Sequence, residues 1–225
     1  MRADLHYTLT QVADIAALAG ARPMSELAPR YNIAPGQQAP VAVVREDARV
    51  CEQMRWGLLP RWRGHGGKRG ALVHAAPLDA VPGTPLLRDA FKKQRCLVIA
   101  DGCFAWRELN QPIWFHPEPR RAVAFAGVWN VNDDDAQPSF AILLGPPLAT
   151  RVKDPMPIVL SPASYEEWLD PALKPDAATE LLAAHGDATA SGWRADAVTT
   201  RMSSNQYDDP QCIAPVGNPN QGELF

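Results

Sequence analysis

Apolar residues in this chain fall into short runs separated by turn signals, and the sharpest run is RCLVIADGCFAW, from Arg95 to Trp106. Leu97, Val98, Ile99 and Ala100 are consecutive and apolar, which predicts a short strand covered on both faces. Asp101-Gly102 then predicts a bend that turns Phe104 and Trp106 back onto that strand. Alternation at Met54, Trp56 and Leu58 predicts a strand over Glu52 to Leu59, ending at Pro60. Further strands are predicted over Tyr7 to Leu9, Val41 to Val44, Pro112 to His116, Ala122 to Val131, Phe140 to Leu144, Met156 to Leu160 and Ala195 to Arg201.

Helical spacing is confined to four places. Thr10 is placed to cap a helix carrying Val12, Ile15, Ala16, Leu18 and Ala19 as far as Gly20. Thr84-Pro85 puts a capping residue before proline at the first helical position, with Leu86, Leu87, Ala90 and Phe91 as the buried stripe. Ser161-Pro162 opens a helix that buries Tyr165, Trp168 and Leu169, and another runs from Thr179 to Ala184 and stops at Gly186. Arg30 to Pro40 reads as irregular, Gly64 to Gly70 as an exposed loop, and Asp133-Asp134-Asp135 as a charged turn. Many short strands with a few peripheral helices make a β-rich α+β protein, and the 22 prolines fit short elements joined by defined turns. One domain is expected over residues 1–216, with 217–225 as a flexible tail.

Composition narrows the function classes. At 225 residues and 46% hydrophobic content the chain can build one substantial core. A net charge of -3 gives no global basic field, so contact with nucleic acid needs a local patch, and Arg55, Arg61, Arg63, Lys68 and Arg69 supply one that also reads as a solvated basic loop. The four cysteines, at 51, 96, 103 and 212, lack paired spacing, which favours a reduced cytoplasmic protein over a disulfide scaffold or zinc site. No run approaches the roughly 20 apolar residues of a membrane span. No metal or cofactor is expected, and the chain reads as a monomer.

Several segments, taken together and in order, resemble the SOS response-associated peptidase (SRAP) family, whose members process abasic sites in single-stranded DNA. They are RYNIAPGQ at Arg30, RWGLLPRW at Arg55, RCLVIADG at Arg95, AFAGVWN at Ala124, MPIVL at Met156, YEEWLD at Tyr165 and VTTRMSSNQYDDPQCIAPV at Val198. The resemblance covers nearly the whole chain and implies a bifurcated, partly barrel-like sheet with peripheral helices. It also implies chemistry that starts from an N-terminal cysteine, whose amine and thiolate trap the abasic aldehyde as a thiazolidine.

The positions the resemblance assigns to that chemistry are replaced. Aligning Tyr7-Thr8-Leu9 with the family's start puts Asp4 where the cysteine belongs, and Arg2 is too large for ordinary removal of Met1. The family's Asn-Ala-Arg segment corresponds to His74-Ala75-Ala76, its glutamate to Ala105, and its histidine and arginine before Met-Pro to Lys153 and Pro155. A carboxylate for proton transfer, a histidine and two phosphate-binding arginines are thus exchanged together. The expected protein is a catalytically degenerate family member with weak single-strand DNA contact. It would be cytoplasmic, with nucleoid association as an option.

Other chemistry stays open beside this. Lys153, or the Met1 amine, could form an imine with an abasic aldehyde and give residual lyase activity. His74 could substitute as an acid or base if Asp4 or Asp79 oriented it, and Cys103 reads as core. Candidate DNA contacts are Asn32, Trp56, Arg61, Trp62, Arg63 and Arg69, the two tryptophans by stacking on unpaired bases, although Trp56 on an alternating strand also reads as core. The last five residues, Gln221-Gly222-Glu223-Leu224-Phe225, resemble the pentapeptide that binds the bacterial sliding clamp. In that motif Gln221, Leu224 and Phe225 would be the partner-binding residues.

Overall fold

Strands account for most of the ordered architecture in the computed structural model, which describes residues 5–15, 18, 27–46, 48–59, 72–107, 111–131, 137–147, 152, 154–186 and 192–216. In chain order the strands are β1 (Tyr7–Leu9), β2 (Arg30–Ile33), β3 (Gln38–Arg45), β4 (Ala48–Trp56), β5 (Ala75–Pro77), β6 (Arg95–Ala100) and β7 (Gly102–Trp106). They continue as β8 (Pro112–Pro117), β9 (Val123–Val131), β10 (Pro138–Gly145), β11 (Met156–Pro157), β12 (Val159–Leu160) and β13 (Trp193–Ala197). The α-helices bounded within the described residues are α1 (Pro85–Lys93), α2 (Tyr165–Leu169) and α3 (Pro175–Gly186).

Two sheets result. The smaller runs β13-β8-β7-β1-β2; the larger runs β11-β10-β4-β3-β6-β9-β12, with β5 added beside β10. Because β10 pairs with both β9 and β4, the strands β10, β4, β3, β6 and β9 close into a ring. Every residue of β6 is buried, as the apolar run Leu97 to Ala100 predicts for its last four. Arg95, at its start, turns its guanidinium inward and donates to the carbonyls of Trp168 and Phe91, each at 2.7 Å, and to that of Asp170. That clamp, with Phe91 and Trp168 in edge contact at 5.7 Å, fixes α1 and α2 against the ring.

The sheets share one core, in which Tyr7 of the smaller sheet meets Trp56 and Phe125 of the larger at 4.9 and 6.1 Å. Side chains alternate along β7, so Cys103 and Ala105 face this core while Phe104 joins a separate cluster with Trp114, Val198, Met202, Cys212 and Ile213. The sequence expectation that Phe104 and Trp106 fold back onto β6 is therefore corrected. The Asp101 turn carries them to the outer face, where the 199–216 segment covers them.

Local expectations differ elsewhere for identifiable reasons. Thr10 does not cap the expected helix: its hydroxyl donates to Asp101, and a 3-10 turn at Val12–Asp14 follows; Ile15 and Leu18 beyond it are helical, while Ala16, Ala19 and Gly20 lie outside the described residues. Thr84 precedes Pro85 as expected, but its side chain makes no capping bond. The strand predicted to reach Leu59 stops at Trp56, because Gly57 takes a φ of 129° and turns the chain away. Met156 to Leu160 is not one strand: Ile158 donates to Leu143 and accepts from Ala126, so the segment switches from β10 to β9 at that residue. The Gly64 to Gly70 loop, the Asp133–Asp135 turn and the 217–225 tail lie outside the described residues.

Candidate active-site cleft

A cleft of about 470 Å³ opens where the two sheets part. Its walls are Leu5, just before β1; Pro35; residues 72–75 and Pro77 on the approach to and along β5; Phe104, Ala105 and Trp106 of β7; Leu144 of β10; and Asp154, Pro155 and Met156 before and in β11. Only His74 and Asp154 among these side chains are titratable.

Close packing behind the walls shapes them. Gly102 begins β7 where a Cβ would stand 2.5 Å from Trp114 Nε1, 2.9 Å from the Phe115 carbonyl and 3.0 Å from Thr8 Oγ1, so only glycine lets these strands meet. Beside it, the buried Asp101 carboxylate accepts from the Thr8 hydroxyl at 2.6 Å, from the N–H groups of Thr10 and Gln11 at 2.7 and 2.9 Å, and from the Thr10 hydroxyl. This ties residues 8–11 to the turn and brings Leu5 to the cleft. On the opposite wall the Trp56 indole donates to the His74 carbonyl at 2.8 Å, and a Cβ on Gly57 would come within 3.1 Å of the His74 ring.

The residues expected to carry chemistry or DNA contact divide into three groups. His74, Ala105 and Pro155 all line the cleft, so three positions far apart in sequence meet in one place. Ala76 is buried in β5 beside Leu143. Asn32 and Trp56 are fully buried and offer no face to DNA; Trp56 stacks in the core on Phe140, and Asn32 bonds to His6 and to three carbonyls of the C-terminal segment. Asp4, Arg61, Trp62, Arg63, Arg69, Lys153, Gln221, Leu224 and Phe225 lie outside the described residues, although Leu5 and Asp154 on the cleft wall adjoin Asp4 and Lys153. Arg61 to Arg69 lie in sequence between Leu58 and Val73, which form a bridge with N···O distances of 2.9 and 3.2 Å, and Val73 lines the cleft.

Sequence reasoning missed Leu5, Leu144 and Asp154 as wall residues; nothing in their local pattern marks them. Cys103 sits beside the cleft residues on β7 but is sealed in the core, and burial pushes its thiol up to about 12, so a thiolate is not on hand at neutral pH. Among the described residues no three His, Cys, Asp or Glu side chains converge as a metal-binding set, and no helix is long and apolar enough to cross a membrane.

The family model for the SOS response associated peptidase (SRAP) matches residues 2–205. The chain belongs to the SRAP family. Among relatives, it is 26% identical over 201 residues to the abasic site processing protein YoqW of Bacillus subtilis, covering 85% of this chain and 88% of YoqW. It is 22% identical to the abasic site processing protein YedK of Escherichia coli, across 83% of this chain and 85% of YedK. A protein from Bacteroides thetaiotaomicron superposes with a TM-score of 0.75 at 19% identity, covering 94% of this SRAP chain and 99% of that one. A phage-related protein from Bordetella bronchiseptica gives 0.70 at 23% identity, covering 86% and 93%. Those two likenesses establish the fold, and the cleft lies where the SRAP sheets diverge.

Proposed function

We propose that this SRAP protein engages single-stranded DNA at the cleft without the covalent abasic-site chemistry that the family resemblance implies. One observation carries this: Ala105 and Pro155 line the same cleft as His74, and the resemblance assigns to 105 and 155 an acid and a phosphate-binding arginine that alanine and proline do not supply. Thiazolidine closure needs an amine and a thiol on one residue, and no cysteine precedes Cys51. Incubation with an abasic single-stranded oligonucleotide, read on a denaturing gel, should give no heat-stable crosslink. A shifted band formed without reductant would overturn the proposal.

A second reading is favoured by the position of Asp154 and Leu5 on the cleft wall, which adjoin Lys153 and the N-terminal residues. There an imine would form between an amine and the abasic aldehyde, with loss of water. Borohydride trapping that disappears in Lys153→Ala would select this route. Trapping that persists there but disappears when the terminal amine is blocked would assign it to Met1.

Recruitment belongs to the same proposal. Gln221, Leu224 and Phe225 match the clamp-binding pentapeptide, in which glutamine hydrogen-bonds at a rim and a Leu-Phe pair fills an apolar pocket. Burying the two apolar side chains is worth about 1.5 to 3 kcal/mol each before ordering costs, consistent with affinity of order micromolar. Surface binding to purified sliding clamp should saturate and should vanish in the Leu224→Ala/Phe225→Ala double variant; equal binding by that variant would remove the clamp as a partner.

A further inference from the structure

We infer that Tyr207, backed by Arg201, is a stacking platform for an unpaired base of single-stranded DNA on the outer rim of the cleft. The inference rests on the DNA-binding reading above and extends it to the nucleotides that flank that site. Among the described residues Tyr207 is the large apolar side chain that stands exposed, at 39%. Exposure alone would mean little; what sets Tyr207 apart is how firmly it is held. Its carbonyl accepts from the buried Asn32 amide at 2.9 Å, and its N–H donates to the Ser204 carbonyl at 3.2 Å. One face of its ring is covered by the Arg201 guanidinium, 3.8 Å from the ring centre. That guanidinium is locked in turn, with Nε and Nη2 donating to Asp209 Oδ2 at 3.1 and 2.7 Å.

A ring fixed in this way loses little freedom when a planar ligand settles on it. Nucleobases suit it because every base has a π-face that stacks on an aromatic ring, whatever the sequence. Asp209 already answers the Arg201 charge, so the platform offers a face to a base and not a contact to a phosphate. With Thr199, Thr200, Gln211 and Ala214 the pair forms an open groove of about 530 Å³, which brings hydroxyl and amide groups near the edge of a stacked base. The platform is also tied to the cleft. Asp208, next to Tyr207, accepts from Arg30, whose guanidinium donates to Gln37 Oε1 at 2.8 Å, and Pro35, two residues before Gln37, lines the cleft. From the same segment Met202, Cys212 and Ile213 pack on Phe104, another wall residue. A strand leaving the cleft across this rim would meet Tyr207.

Two labelled single strands of equal length test this, one of mixed sequence and one composed entirely of base-free tetrahydrofuran residues. Both carry the same phosphates, and low salt keeps the binding of each measurable. By fluorescence anisotropy, Tyr207→Ala should weaken binding of the mixed-sequence strand at least about fivefold, the loss of one base–aromatic stack. It should leave both the affinity for the base-free strand and the salt dependence unchanged, because the ring contacts no phosphate. Tyr207→Phe keeps the ring and should bind as the unaltered protein does. Unchanged affinity of Tyr207→Ala for the mixed-sequence strand would overturn the inference while leaving DNA binding in place. An equal loss on both strands would make Tyr207 a support of the surface and not a stacking partner, and would overturn it as well. Binding of neither strand by the unaltered protein would defeat the DNA reading itself, and the platform with it.

Discussion

Tyr7 and Asp101 sit a few ångströms from the same strand junction and represent opposite solutions to burying a polar group. The Asp101 carboxylate accepts from two hydroxyls and two backbone N–H groups, so its desolvation is met in full. The Tyr7 hydroxyl is wholly enclosed and has no hydrogen-bond partner, and burial keeps its phenol well above the usual range, so it stays protonated. An unpaired buried hydroxyl costs about 1 to 3 kcal/mol, set against the packing of its oxygen. Tyr7→Phe should therefore be neutral or stabilising by up to about 1 kcal/mol, with the ring contacts to Trp56 and Phe125 retained. Urea denaturation measures this; a loss above about 1 kcal/mol would mean that the hydroxyl contributes a bond after all. Asp101-Gly102 is legible in the sequence as a turn. The four donors it gathers are not, because they come from residues 8–11, far along the chain.

Among elements, the 199–216 segment depends most on a single side chain. The Asn32 amide nitrogen donates toward the carbonyls of Met202, Ser204 and Tyr207 at 2.9, 3.1 and 2.9 Å, three acceptors sharing two N–H groups. Its oxygen accepts from His6 Nδ1 at 2.6 Å. Asp208 completes the clasp by accepting from the N–H groups of Tyr31 and Asn32 at 2.5 and 2.9 Å and from Arg30. Asn32→Ala should cost about 3 kcal/mol by leaving buried carbonyls unpaired, and should free this segment before the rest of the fold opens. Trypsin cleavage after Arg201 well below the global unfolding midpoint would display it, and cleavage only on global unfolding would argue against it. The contrast explains what sequence reading could reach. β6 contains the whole predicted run Leu97 to Ala100, since the neighbours of those four residues demand only hydrophobicity, and it starts two residues earlier at Arg95. β2 reads as irregular because its order comes from Asn32 and Asp208, a pairing that no local period encodes. The cleft is half legible for the same reason: motif positions such as His74 and Ala105 could be named in advance, whereas Leu5, Leu144 and Asp154 are wall residues only because two sheets part there.

For the whole molecule the net charge of -3 opposes DNA, so the proposed DNA contact calls for a local cationic patch, for which the cations at 61, 63, 68 and 69, between the bridged residues Leu58 and Val73 in sequence, are the candidates. Binding to single strands should be weak near physiological salt and should fall steeply as salt rises, with each phosphate contact contributing a slope of roughly 0.7 in log affinity against log salt. Charge reversal at Arg61, Arg63 and Arg69 together should flatten that slope by about 2 in an anisotropy titration. An unchanged slope would exclude these cations from the DNA-binding surface.

The bond from Thr8 to Asp101 spans 93 residues, and the bond from Asn32 to Met202 spans 170. During synthesis at about 5 to 20 residues per second, β1 would leave the ribosome many seconds before the turn that holds it has been made. The first wall of the cleft to be translated thus cannot be seated until β7 emerges, and the clasp at Asn32 closes only after nearly all the rest of the chain is out. Until then the apolar side chains of β1 lack Phe125 and the later half of the core they pack on, which leaves this strand open to aggregation during synthesis.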